Sequence, residues 1–343
     1  MMNNIVLSEK DVEQMLKGGE VLAWASKVVK KEELDERELA FSAYAEDLIK
    51  NMDRYGSEQA KTMFAGLIID TIEPEVFGYP NEILREILDE GSLGEFDAVR
   101  IYNSPKNTLV AKKSAPRTGN VDRSGIDFTR GTMTQEHLQI EFDLRLSDLR
   151  RNGAFQLATY MMFALEEFNK AKFLALFEMI DDLLATGSHS ISAASTKVTE
   201  SSIEELTAKV DDNCFEGTGL IIGLSNNMRD ASRAIGGKEG YEVSSSKMKD
   251  QLNEVGILPV HNGCKFVSIK AGKKTGEGKH IFPEKTVLGI AGKIGKMYSI
   301  GSMRSYTTTD NNNETIHVKL TGVEFGLFID DSRLDKVWKI ALQ

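Results

Sequence analysis

Cysteine is nearly absent from this chain of 343 residues: Cys214 and Cys264 stand alone, with no CxxC pair. Two thiols make no disulfide framework, and such usage points to a reducing compartment. Histidine is scarce, five residues with no HxxxH spacing, so the sequence carries no signature of a metal site. No window offers the ~20 uninterrupted apolar residues of a membrane span, because Glu166, Glu167, Lys170 and Lys172 interrupt the best candidate. The opening MMNNIVLSEKDVEQ lacks the basic-then-apolar layout of a signal peptide. The expectation is a soluble protein made in a cytoplasm. An excess of basic charge is missing too: the net charge is −10, which disfavours a general nucleic-acid-binding role.

Catalytic signatures are equally thin. A phosphate-binding loop needs GxxxxGK[ST]. Residues 272–280 (GKKTGEGKH) and 289–297 (GIAGKIGKM) each have one residue too many and end without a hydroxyl. Residues 217–223 (GTGLIIG) lie inside a strand-like run with no helix directly after them, a weak dinucleotide signal. Ser225 lacks the second glycine of a nucleophile elbow. Cys264, with His261 nearby in sequence, could be a nucleophile, but a lone cysteine is usually packing. Adjacent carboxylates such as Glu166-Glu167 and Asp181-Asp182 point to different helix faces. No catalytic constellation or cofactor site emerges, so the reading is a chain that is not an enzyme.

What is present is more telling. From Ala154 to Thr186 run 33 residues without glycine or proline. At ~1.5 Å per residue such a helix spans roughly 50 Å, against a radius of gyration of about 20 Å for a compact globule of this length. It would cross the whole body, as in an extended subunit built to contact copies of itself. Its first half is apolar nearly all round (Phe155, Leu157, Met161, Phe163), which predicts packing on more than one side. Its second half places Glu178, Asp181 and Asp182 outward.

Charge is unevenly distributed. Residues 70–97 carry nine carboxylates against Arg85 alone, whereas residues 100–130 carry seven bases against Asp122 and Asp127. The bland reading of that basic segment is a solvated loop. The sharper one is a basic arm that docks on an acidic surface of a neighbouring copy.

Residues 9–90 read as several helices. One places Leu39, Tyr44, Leu48, Ile49 and Met52 near one face; a second, Lys61 to Ile72, is ended by Pro74. A third, Glu82 to Asp89, is capped by Asn81 and stopped by Gly91. Short strands are expected near 99–102 and 108–111, with turn chemistry between Ser114 and Gly131. Residues 137–146 alternate, with Leu138, Ile140, Phe142, Leu144 and Leu146 on one side. The basic segment therefore lies on a long hairpin-like excursion. Residues 188–202 read as a linker or mobile loop. Residues 219–224 read as a buried strand, 227–235 and 244–253 as helices, and 265–270 as a strand. Strands follow at 286–290, 296–300, 315–320, 323–329 and 337–342.

This order of parts resembles the major capsid protein of tailed bacteriophages, the Hong Kong 97 fold. The resemblance implies an α+β chain. It would have a helical N-terminal arm or added subdomain (1–95), an extended β-hairpin or E-loop (96–146) and a spine helix with a peripheral domain (147–214). An axial α/β domain (215–290) and returning strands (291–343) would follow. It implies a structural protein that self-assembles into pentamers and hexamers of an icosahedral phage head around double-stranded DNA. Scaffolding and portal proteins would be its partners, the virion its location and a bacterial cytoplasm its place of synthesis. Subunit contacts are expected between Lys112, Lys113, Arg117 and Arg123 of the hairpin and acidic residues such as Glu178, Asp181 and Asp182. The alternatives are an encapsulin-like nanocompartment shell and an α/β enzyme with a long interdomain helix.

Overall fold

The computed structural model describes residues 7–55, 58–78, 82–94, 101–103, 106–107, 126–127, 130–131, 133–185, 189–193, 195–214, 218–235, 257–310 and 314–343. Four helices come first: α1 (Glu9–Lys17), α2 (Glu20–Lys30), α3 (Glu36–Tyr55) and α4 (Glu58–Phe77). Ser8 caps α1 by a reciprocal box with Asp11. On α3 the buried stripe is Phe41, Ala45, Leu48, Ile49 and Met52, whereas Leu39 is half exposed. The expected face thus loses one member, because Phe41 and Ala45 match the 3.6-residue period of Leu48 and Met52 and Leu39 does not.

Pro74 does not end α4, contrary to the sequence reading; the helix continues to Phe77. A proline near a helix end removes one backbone bond, and here the last carbonyls find another donor. Nζ of Lys172 donates to Val76 O (3.0 Å) and Gly78 O (2.8 Å).

The next helix, by contrast, is shorter than expected. α5 (Glu82–Ile87) gives way to β1 (Leu88–Leu93), so Asp89 and Gly91 belong to a strand. β1 pairs in parallel with β10 (Gly295–Ile300), Gly91 lying opposite Tyr298. A Cβ at Gly91 would meet that ring at 2.6 Å, so the glycine serves close packing across the ladder rather than helix termination.

β2 (Lys106–Asn107) and β3 (Ile126–Asp127) pair antiparallel, and a bridge joins Tyr102 to Arg130. The expected strand at 108–111 falls outside the described residues. β4 (Thr134–Arg145) leads into α6 (Leu146–Ala185), which is broken at Gly153, where φ is 51° and ψ −130°. Beyond that break a helix runs unbroken to Ala185, and Leu146 is the first residue of α6 rather than part of the strand.

The polar stretch after α6 is not a linker. β5 (Ser190–Ser192) pairs in parallel with β13 (Val337–Ala341), and Ile191, Ala193 and Val198 are buried. Thr199 then caps α7 (Glu200–Asn213) through a capping box with Ser202. β6 (Gly219–Leu224), α8 (Ser225–Ile235), β7 (Val260–His261), β8 (Cys264–Ile269) and β9 (Thr286–Ile290) follow. The helix expected over 244–253 lies outside the described residues. β10, β11 (Arg304–Asp310), β12 (Thr315–Ile329), a 3₁₀ turn (Asp331–Lys336) and β13 complete the chain.

Two sheets result. In the first, the 15-residue β12 is central. β4 lines one edge, while β11 and then β10 line the other, with β1 outermost. The two strands expected at 315–320 and 323–329 are thus one, with a bulge between Leu320 and Val323 at Gly322 (φ 86°). The second sheet has the order β5-β13-β9-β6-β8-β7, so it draws β5 and β13 from outside residues 215–290.

Three apolar cores lie among these layers. The first joins α1–α4 to Leu157, Met161 and Phe168 of α6 and to Ile316–Val323 of β12. The second joins Phe173, Phe177 and Ile180 of α6 to Phe325–Ile329 of β12 and to both sheets. The third packs α7 and α8 on the second sheet.

Candidate subunit interface

The site that the sequence points to has two halves, a basic hairpin and an acidic helix face. Of the hairpin the structure describes the base. Besides the pairings above, Gly131 N donates to Ile101 O at 3.1 Å, so the two arms leave the body side by side. Tyr102 at that base is half exposed. Lys112, Lys113, Arg117 and Arg123 lie outside the described residues.

The acidic face belongs to the second half of α6, and it divides by residue. Glu178 and Asp182, one turn apart, are exposed. With Leu174 they line one wall of a cleft of about 520 Å³, whose other wall is Lys279, His280, Phe282 and Pro283. Asp181 lines the same cleft and also has a partner within the subunit. Its Oδ1 accepts from Nζ of Lys339 at 2.8 Å and from the Thr286 hydroxyl at 3.3 Å. Lys339 is buried, and a buried ammonium requires a partner. Asp181, its side chain 30% exposed, thus holds a buried lysine of its own subunit. Asp181 sits about 100° round the helix from Asp182 and about 60° from Glu178, on the side facing β9 and β13.

One element of this face was missed by sequence reasoning. Residues 270–282 form a strap across α6 rather than a plain exposed loop. Thr275 N donates to Lys279 O at 2.9 Å, closing the tip. Gly276 N donates to Oε2 of Glu167 at 2.8 Å, and Glu167 also pairs with Lys170. Phe282 is fully buried, its ring 4.9 Å from Phe177. A second cleft of about 330 Å³ opens on the far side of the strap, between Leu138, Phe168 and Thr275. The readable signal was the apolar pair Ile281-Phe282 directly after the glycines. Glu178, Leu174 and Lys279 line both clefts, so the acidic face and the strap form one ridged surface.

Cys264 and the glycines at 219 and 289 serve packing. Cys264 is buried, and burial pushes its thiol up to about 11, away from the thiolate that a nucleophile needs. The glycines at 219 and 289 face α7: a Cβ at Gly289 would meet Val210 at 2.7 Å and Leu206 at 2.8 Å. They let a helix lie close on the sheet. Among the described residues no group of three His, Cys, Asp or Glu is placed to hold a metal ion. No described helix is long and apolar enough to cross a membrane.

No family model matches the sequence, and no curated protein matches it. Solved structures do match by shape. A chain of the capsid structure of the cyanophage P-SCSP1u superposes with a TM-score of 0.50 at 10% identity, covering 75% of this chain and 87% of that one. A structure of Mycobacterium phage Bobi gives 0.50 at 9% identity, covering 76% and 89%. The satellite phage P4 procapsid, a structure that includes the size determination (Sid) protein, gives 0.50 at 11% identity, covering 78% and 89%. At such identities the likeness is one of fold. The chain has the mixed α and β fold found in phage capsid structures.

Proposed function

We propose that this chain is a major capsid protein, a structural subunit that self-assembles into the pentamers and hexamers of an icosahedral phage head enclosing double-stranded DNA. The observation that carries this reading is the shared capsid fold over about three quarters of the chain. The reading extends to the division of labour along the chain. Residues 96–146 serve as the E-loop, α6 as the spine, 215–290 as the axial domain and 291–343 as the returning strands. Synthesis takes place in the bacterial host, with scaffolding and portal proteins as partners in assembly.

The charge pattern supplies a mechanism for assembly. Lys112, Lys113, Arg117 and Arg123 of one copy lie over exposed carboxylates of the next, Glu178 and Asp182 among them. Opposed charges on exposed elements steer encounter and fix register more than they add affinity. Each surface pair contributes about 0–1 kcal/mol, but every interface of a shell repeats the term. The test is the quadruple variant Lys112→Glu, Lys113→Glu, Arg117→Glu and Arg123→Glu. It is expected to fold as the wild type does by circular dichroism and to form no particles by electron microscopy. Normal particles from that variant would sink the docking mechanism.

A further inference from the structure

Among the described residues Lys172 is the one lysine in the set of fully buried large side chains, 1% exposed in the middle of α6. It sits where that helix passes from one core to the next: Phe168 belongs to the first core and Phe173 to the second. β12 changes core at the matching place, since Val323 packs in the first and Phe325 in the second, directly after the Gly322 bulge. Leu138 of β4 touches both. The seam between the cores is thus marked by a buried cation on one element and an irregular strand on another.

The surroundings of the ammonium are nearly all uncharged. α4 offers the carbonyls of Val76, Phe77 and Gly78 at 3.0, 3.5 and 2.8 Å. β10 offers the Ser299 hydroxyl, which donates to the same Phe77 carbonyl at 2.6 Å. β12 offers the Phe325 ring, its centroid 5.8 Å from Nζ. The charged group acting on Lys172 is Glu90 of β1. Carbonyls at a helix C-terminus suit a cation, but burial without a close counter-ion is costly.

We propose that this seam is a hinge held under tension by Lys172, which opens by letting the ammonium reach water and so frees the end of α4 from the spine. The device holds whether or not the chain assembles. Its sign follows from proton linkage. Burial lowers the closed-state lysine from 10.5 to about 8, while an opened seam restores the ordinary value. Below about pH 8 both states carry the proton and closing bears the full cost of the buried charge. Between about 8 and 10.5 the closed state releases its proton and the open state keeps it. Raising pH through that window therefore favours closing.

The test is hydrogen exchange by mass spectrometry on the full-length chain, corrected for the intrinsic pH dependence of exchange. In peptides covering 70–78 and 168–176 the opening equilibrium is expected to fall about tenfold per pH unit between pH 8 and 10. Lys172→Met, of similar length and never charged, is expected to flatten that profile. Lys172→Arg, charged throughout, is expected to flatten it too and serves alone if the methionine variant does not fold. The same slope in wild type and variants would overturn the proposal. So would an equal slope in peptides from β6 and β9, because the opening would then be global rather than a hinge.

Discussion

The two halves of α6 belong to one helix, yet they answer to different neighbours. The first half, from Ala154 to Phe168, is gripped by α2, α3 and α4 and by the β4–β12 ladder. Even so, Phe155 and Phe163 remain 41% and 57% exposed. The second half, from Phe173 to Leu184, is wedged between both sheets and crossed by the strap, with Glu178 and Asp182 outward. An apolar helix surface does not by itself report how many neighbours it has inside one subunit. Acidic neighbours on a helix are not equivalent either, since Asp181, though it also lines the cleft, holds Lys339, whereas Asp182 is exposed.

The strongest way to break this comparison is to hollow out each half. Phe168→Ala and Phe177→Ala should each lower unfolding free energy by about 3–5 kcal/mol, measured by chemical denaturation, because both rings are at most 1% exposed. A loss below 1 kcal/mol at either ring would mean that its core is not packed as described. Next in size is Asp181→Ala, expected to cost about 1–3 kcal/mol by removing the carboxylate beside the buried Lys339 ammonium, which keeps the Asp181 carbonyl. Thr199→Ala should cost about 1 kcal/mol by removing the α7 cap. Smallest are Glu178→Ala and Asp182→Ala, which should shift stability by no more than about 0.5 kcal/mol. Their effect should appear instead as slower particle formation by light scattering. Equal costs for Asp181→Ala and Asp182→Ala would erase the distinction between them.

Much of this architecture was legible because it is locally encoded. The run from Ala154 to Ala185 has nothing to break it, the alternation of β4 displays its period, and β6 and β9 are short apolar runs bounded by turns. What was not legible depends on distant partners. β1 reads Asp-Glu-Gly and is a strand because β10 lies beside it. β5 lies in a small polar run and is ordered by β13, nearly 150 residues later. The helix beyond Pro74 persists through a lysine from another helix. Of the candidate interface, the exposed pair Glu178 and Asp182 could be read from helix period. The period also turns Asp181 away from Asp182, but nothing local announces its partner Lys339. The strap escaped notice since its anchor on Glu167 is also non-local.

The central claim is that this chain is a shell subunit. Negative-stain electron microscopy of the protein expressed alone, paired with light scattering across a concentration series, tests it most directly. The account predicts closed shells, tubes or capsomer rings whose abundance rises with concentration. A chain that stays monomeric at every concentration and forms no ring would contradict it.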